Sequence, residues 1–84
     1  MNKLFFSSKA EKQIAGLDLG IRKRIAEGLG TLLDSDLISV LDVKKLKSPL
    51  GGYRLRVGDY RILFLRDGDK VTIYDIGHRK DVYR

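Results

Sequence analysis

Hydrophobic residues recur with two different periods along the chain, and the period changes near its middle. Between residues 18 and 33 they return every three or four positions, which is typical of the buried face of a helix. After Gly52 they return at every second position, which is typical of strands that bury one face. The pattern therefore predicts helices in the first half of the chain and a β-sheet in the second.

The first half is predicted to hold one short strand and two helices. The opening segment KLFF is rich in aromatic residues, which favour strands. Ser8 followed by Glu11 predicts a capping box, and hence a short helix that ends near Gly16. Asp18 is the expected N-cap of a second helix. The apolar stripe of that helix consists of Ile21, Ile25, Leu29, Leu32 and Leu33.

Two glycines, Gly28 and Gly30, lie inside the second predicted helix. A glycine within a helix costs about 1 kcal/mol relative to alanine. These positions therefore either weaken the helix or mark a close contact on it.

The middle of the chain is predicted to be a connection, and the remainder three strands. An extended piece is expected at residues 43–46, ended by Pro49 and the glycines that follow. The strands are expected at residues 53–57, 60–65 and 70–76. The sequence thus predicts one α+β domain over residues 1–84, in the order β-α-α-β-β-β, with both helices on one face of an antiparallel sheet.

A two-residue turn at Gly58 and Asp59 sets the expected register of the first hairpin. Alternation then places on the core face Tyr53, Leu55, Val57, Tyr60, Ile62 and Phe64. Three arginines share the other face: Arg54, Arg56 and Arg61. In this register Arg56 lies directly opposite Arg61.

Continuity of the core predicts the register of the second hairpin. Phe64 and Ile62 are expected to pair with Val71 and Ile73. That register brings Thr72 and Tyr74 to the face that carries the arginines.

The three arginines are an unusual choice for the face of a hairpin. Arginines directly opposite each other repel, and no acidic residue in either of the two strands faces them. They are either solvated side chains on an open sheet face or ligands for an anion. Phosphate is the anion that best matches planar guanidinium groups.

Charge and composition point in the same direction. The chain carries 17 Lys and Arg against 11 Asp and Glu, a net charge of +6, and residues 42–84 hold eleven of the basic residues and six of the acidic ones. Such an excess favours a polyanionic partner such as nucleic acid, although it also serves the solubility of a small protein. Zero cysteines and one histidine argue against disulfides and a zinc site. No apolar run reaches the roughly 20 residues of a membrane span, so we expect a cytoplasmic protein without a cofactor.

The motifs YRLRVGDYRILF and IGHRKDVYR, preceded by VKKLK, resemble those of the RelE/ParE superfamily of prokaryotic toxin–antitoxin toxins. The resemblance spans essentially the whole chain. It implies a fold similar to that of microbial ribonucleases, and for RelE-type members the cleavage of mRNA, often on the ribosome, until a RelB-like antitoxin neutralises the toxin in a hetero-oligomer. It also implies two alternatives: a ParE-like poison of DNA gyrase, and an inactive module that only binds its antitoxin.

Position by position, the resemblance assigns catalytic roles to Arg54, Arg56, Arg61, Arg79 and Tyr83, and His78, at a position that is not always histidine in the family, completes the predicted catalytic set. RelE-type toxins often have lysine where this chain has arginine in the first strand, and arginine is a poor general base because its pKa exceeds about 12. Histidine titrates closest to neutral pH, so His78 is the expected site of proton transfer. Arg79 is expected to stabilise charge, and Tyr83 to stack on a base or orient the 2′-hydroxyl.

Two further clusters of basic residues are candidates for contacts with RNA or ribosomal RNA. They are Lys44, Lys45 and Lys47 before the first hairpin, and Arg22, Lys23 and Arg24 at the start of the second helix. Ordinary solvated charge explains each cluster equally well. The expected partners are therefore mRNA, the ribosome and an antitoxin with an acidic and apolar segment.

Overall fold

The computed structural model describes residues 3–34, 42–47 and 52–78. The helices and strands are β1 (Lys3–Phe6), α1 (Ser8–Ala15), α2 (Leu19–Leu33), β2 (Asp42–Lys45), β3 (Tyr53–Val57), β4 (Tyr60–Asp67) and β5 (Lys70–His78). This confirms the predicted α+β class with two helices before the hairpins. The predicted extended piece at residues 43–46 forms the additional strand β2, while its predicted end at Pro49 lies outside the described residues.

The five strands form one mixed sheet in the order β1-β5-β4-β3-β2. β1 pairs in parallel with β5, so the expectation of a purely antiparallel sheet does not hold at this edge. A parallel neighbour needs a long connection, and the chain between β1 and β5 contains all the other elements. β2 pairs antiparallel with β3 and occupies the opposite edge.

The first hairpin has the predicted register at every pair. Val57 pairs with Tyr60 and Arg56 with Arg61 across the turn at Gly58 and Asp59. Gly58 has φ +58°, and no non-glycine residue among those described has a positive φ. A positive φ at the first turn residue alone is the pattern of a type II′ turn, whose twist matches that of a hairpin.

The predicted register of the second hairpin is wrong by two residues. β4 continues to Asp67, which pairs with Lys70 across a tight turn, so Phe64 lies opposite Ile73 instead of Val71. A shift of two preserves the face of every side chain, and Val71 and Ile73 accordingly stay in the core. An irregularity between Leu63 and Phe64 then brings Ile62 opposite Ile76.

Side chains cap both helices at their N-termini. The oxygen of Ser7 accepts a hydrogen bond from the backbone N–H of Ala10 at 3.1 Å, so the N-cap of α1 is Ser7 and the predicted cap at Ser8 is wrong by one residue. Asp18 caps α2 as predicted, because its Oδ1 accepts from the N–H of Ile21 at 3.0 Å.

The core lies between the two helices and one face of the sheet. It consists of Ala10, Ile25, Leu29, Leu32, Leu55, Ile62, Phe64, Val71, Ile73 and Ile76. Gly28 marks a close contact, since a Cβ there would lie 3.1 Å from Cγ2 of Val57, whereas one at Gly30 would meet nothing within 4 Å. No helix in residues 3–34, 42–47 and 52–78 combines the length and apolar character that crossing a membrane requires.

Candidate functional site

The predicted arginines lie together on the sheet face opposite the helices, which we call the arginine face. Side chains alternate along a strand, and Leu55 and Ile62 are buried in the core, so Arg54, Arg56 and Arg61 project to the other side. Arg56 and Arg61 are partners in the ladder, as predicted. Lys44 lies opposite Arg54 and extends this face onto β2.

Two of the three arginines are buried. Arg54 is 7% exposed and Arg61 is 8% exposed, whereas Arg56 is exposed. Solvated arginines on an open face would all be exposed, so that interpretation fits only Arg56. Burial limits the side-chain motion of Arg54 and Arg61, and it makes the position of each guanidinium well defined.

Asp42 in β2 supplies an acidic partner from outside the two hairpin strands. Its Oδ1 lies 2.8 Å from Nη2 of Arg54, and its side chain is 49% exposed. Asp42 is the ladder partner of Arg56, so it contacts an arginine two residues along β3 from its own partner. The Nε of Arg54 is buried and has no hydrogen-bond partner among the residues that the structure describes. Asp42 borders the predicted extended piece, but the sequence pattern contained no information about its register with β3.

Arg56 reaches from the arginine face to the turn of its own hairpin. Its Nε donates to the carbonyl oxygen of Gly58 at 3.4 Å, a long hydrogen bond on an exposed side chain. The same turn carries Asp59 and leads into Tyr60, which pairs with His78. We call this end of the sheet, from the turn to the pair of Tyr60 and His78, the rim.

His78 lies at the rim on the helix side of the sheet. Its ring contacts the ring of Tyr60 edge-on, with centroids 5.5 Å apart. Gly77, next to it in the chain, is the ladder partner of Arg61. The side chains of His78 and Arg61 therefore leave the sheet on opposite faces.

The residues of the two predicted basic clusters do not all lie on one surface. Lys44 belongs to the arginine face, Lys45 pairs with Tyr53 and points to the helix side, and Lys47 follows β2. In α2, Arg22, Lys23 and Arg24 are all exposed. Arg24 alone is placed at the rim, because a Cβ on Gly58 would lie 3.2 Å from its Nη2.

The hydroxyl of Tyr74 in β5 is a weak acid in this fold. Burial raises its pKa above the ordinary value of 10.0, and the neighbouring carboxylate of Asp75 raises the pKa further. Tyr74 therefore stays neutral at physiological pH and is suited to donate a hydrogen bond rather than to act as a base. Arg79 and Tyr83, the other predicted catalytic residues, lie outside the described residues.

Comparison with known proteins identifies one family. A family model described as the ParE toxin of the type II toxin–antitoxin system parDE matches residues 4–83. Toxin RelE3 of Methanocaldococcus jannaschii is 34% identical to this chain over 83 residues, which are 96% of this chain and 94% of that toxin.

Solved structures of toxins have a similar fold. A chain of the RelB–RelE antitoxin–toxin complex from Methanococcus jannaschii aligns with a TM-score of 0.77 and 34% identity, covering 94% of each chain. A chain of the RelBE2 complex from Mycobacterium tuberculosis aligns with a TM-score of 0.77 and 27% identity, covering 93% of this chain and 98% of that one. The chain therefore belongs to the RelE/ParE superfamily of type II toxin–antitoxin toxins.

Proposed function

We propose that this protein is a ribosome-associated endoribonuclease that cleaves mRNA, and that it is the toxin of a RelBE-type pair. The observation that carries the proposal is the arginine face, where Arg56 and Arg61 oppose each other and Asp42 holds Arg54 beside them. Opposed guanidiniums repel until an anion lies between them, and a phosphate group accepts bidentate hydrogen bonds from such groups.

The proposed reaction needs no atoms beyond those of the RNA, the protein and water. The 2′-hydroxyl loses its proton to His78, and its oxygen attacks the adjacent phosphorus. The bond from phosphorus to the 5′-oxygen breaks, that oxygen takes a proton from water, and the hydroxide formed takes the proton from His78. The products are a 2′,3′-cyclic phosphate and a 5′-hydroxyl. Arg56 and Arg61 stabilise the negative charge that develops on the phosphate oxygens.

The separation of His78 from the arginine face restricts where the phosphate binds. His78 leaves the sheet on the helix side, whereas Arg61 leaves it on the other, so we infer that a group contacted by both lies where the two faces meet. The scissile phosphate is therefore proposed to lie at the rim. Arg79 and Tyr83, which follow His78 in the chain, are proposed to stabilise the leaving oxygen and to stack on a base.

A RelB-like antitoxin is the proposed protein partner. The RelE relatives from Methanococcus jannaschii and Mycobacterium tuberculosis were solved as complexes with their antitoxins. With a net charge of +6, this chain favours an acidic partner. The remaining basic residues, including Lys44, Lys45 and Lys47 with Arg22 and Lys23, are proposed to contact ribosomal RNA.

The test is to map the ends of RNA cut by the protein in a translating extract. Wild-type protein is expected to produce fragments with cyclic phosphate ends, and Arg56→Gln to cut about 100-fold more slowly, because one charge-stabilising donor is lost. Arg56 is exposed, so this change leaves the core intact. Arg66→Gln is the matched control, since the Nε of Arg66 makes the same 3.4 Å contact with the carbonyl of Gly68 in the other hairpin. Uncut RNA in the wild-type reaction would reject the ribonuclease, and an unchanged rate in Arg56→Gln would remove the arginine face from the mechanism.

A second candidate function is the poisoning of DNA gyrase. The family model that matches residues 4–83 is that of the ParE toxin, which favours this alternative. Stalled gyrase–DNA complexes in the absence of cut RNA would establish it in place of the ribonuclease.

A further inference from the structure

A small pocket opens at the rim on the helix side of the sheet. Its volume is about 130 Å³, well below the several hundred Å³ of pockets for drug-sized ligands. It is lined by Ile21, Arg24, Ile25, Val57, Asp59 and Tyr60. The pocket therefore has room for one flat ring system between α2 and the tip of the first hairpin.

The rim pocket and the arginine face lie on opposite sides of the same hairpin turn. On the helix side the guanidinium of Arg24 covers Gly58, since a Cβ on that glycine would lie 3.2 Å from Nη2 and 3.6 Å from Cζ of the arginine. On the other side the Nε of Arg56 donates to the carbonyl oxygen of the same glycine. Two guanidiniums thus flank one two-residue turn, so positively charged groups lie on both faces of the sheet at this turn.

The side chains that line the rim pocket combine an apolar surface with two opposite charges. Ile21, Ile25 and Val57 supply the apolar part, and Tyr60 supplies an aromatic ring whose edge-on contact with His78 helps to fix it. Within residues 3–34, 42–47 and 52–78, neither Arg24 nor Asp59 makes a side-chain hydrogen bond or ion pair. The guanidinium donors of Arg24 and the carboxylate acceptor of Asp59 are therefore available to a ligand.

We propose that the rim pocket binds a guanine base of the RNA, next to the phosphate held by Arg56 and Arg61. This inference rests on the proposed ribonuclease function. Guanine has two adjacent acceptors, O6 and N7, which match the guanidinium of Arg24, and amino and imino donors on another edge, which match the carboxylate of Asp59. The apolar and aromatic wall covers the faces of the ring. The pocket selects the base beside the cleavage point, while the arginine face binds phosphate without regard to sequence.

The second hairpin provides an internal comparison. Its turn, Gly68 and Asp69, repeats the residues of the first, with φ +61° at Gly68 and a 3.4 Å contact from the Nε of Arg66. A Cβ at Gly68 would meet nothing within 4 Å, because no helix covers this turn. The two turns therefore share their local chemistry, but among the described residues a guanidinium from a helix lies against the glycine of the first turn and not against that of the second.

The first experiment measures binding of the four ribonucleoside 5′-monophosphates to the ¹⁵N-labelled full-length chain by NMR. All four carry the same phosphate, so differences between them report on the base. GMP is expected to bind about tenfold tighter than the others and to shift the amides of Arg24, Asp59 and Tyr60. Asp59→Asn is expected to abolish that preference, and Asp69→Asn in the matched turn to retain it. Equal affinities for all four nucleotides, or shifts confined to the arginine face, would overturn the inference.

The second experiment maps the base next to each cleavage point in RNA of mixed sequence. Wild type and Asp69→Asn are expected to cut beside guanine in preference, and Asp59→Asn to cut with no such preference. Cleavage without base preference in the wild type, together with equal nucleotide affinities, rejects guanine binding at the rim pocket. The proposed ribonuclease activity is then retained. Preferential binding of GMP without any cleavage of RNA rejects the proposed ribonuclease activity. Guanine binding at the rim pocket is then retained.

Discussion

Replacing Asp42 by asparagine tests whether an ion pair between β2 and β3 organises the arginine face. Arg54 is buried, and its Nη2 lies 2.8 Å from Oδ1 of Asp42. A hydrogen bond to a charged group contributes about 1.5–3 kcal/mol to stability. Asparagine keeps a neutral acceptor and the Asp42 side chain is half exposed, so we expect Asp42→Asn to lower the free energy of unfolding by about 1–2 kcal/mol.

Thermal unfolding followed by circular dichroism measures this effect. For a domain of this size the loss corresponds to a decrease in Tm of about 5–15 °C. Asp69→Asn, in the exposed second turn, is the matched control and is expected to change the stability by no more than about 0.5 kcal/mol. A Tm for Asp42→Asn equal to that of the control would refute the reasoning.

A double-mutant cycle with Arg54→Met assigns the effect to the pair. If Asp42 acts through Arg54, its replacement has little effect once the guanidinium is gone, and the coupling free energy is about 1–2 kcal/mol. Inorganic phosphate is expected to raise the Tm of Asp42→Asn more than that of the wild type, because the variant lacks the anion that normally faces the arginines. An equal loss of stability on Asp42→Asn in the wild type and in Arg54→Met would show that Asp42 does not act through Arg54.

Three further predictions concern proton transfer and the glycines. His78→Gln is expected to slow RNA cleavage in a translating extract by orders of magnitude, and an unchanged rate would remove His78 from the mechanism. Gly30→Ala is expected to stabilise the protein by about 1 kcal/mol in urea denaturation, because the added methyl group meets open space. Gly28→Ala is expected to lack this gain, since its Cβ would press against β3. Gly58→Ala is expected to destabilise the protein more than Gly68→Ala, because both have a positive φ but only the Cβ added at Gly58 would meet the guanidinium of Arg24; equal losses would count against that contact.

Features that depend on neighbouring residues were predictable from the sequence. The register of the first hairpin follows from a two-residue turn and the alternation of strand residues, and every predicted pair is confirmed. The cap at Asp18 and the buried residues of α2 follow from local hydrogen bonding and helical periodicity. The error at Ser8 has the same local origin, because two adjacent serines offer equivalent caps and only the backbone conformation distinguishes them.

Features that depend on contacts between distant segments were decided by the tertiary structure alone. The position of β1 beside β5 brings together residues from opposite ends of the described chain, and that of β2 beside β3 joins strands across a connection without a predicted turn. The pairing of β2 supplies Asp42 to Arg54, which no pattern within the hairpin indicated.

The candidate site also combines features that the sequence predicts with features that only the tertiary structure decides. From the sequence alone, Arg54, Arg56 and Arg61 could be placed on one face, because that placement needs only the turn and the period of two. Their burial, the direction of His78 and the contact of Arg24 with the turn could not be predicted. Each of these depends on how α2, β2 and β5 pack around the hairpin, and packing is determined by the whole chain rather than by any single segment of it.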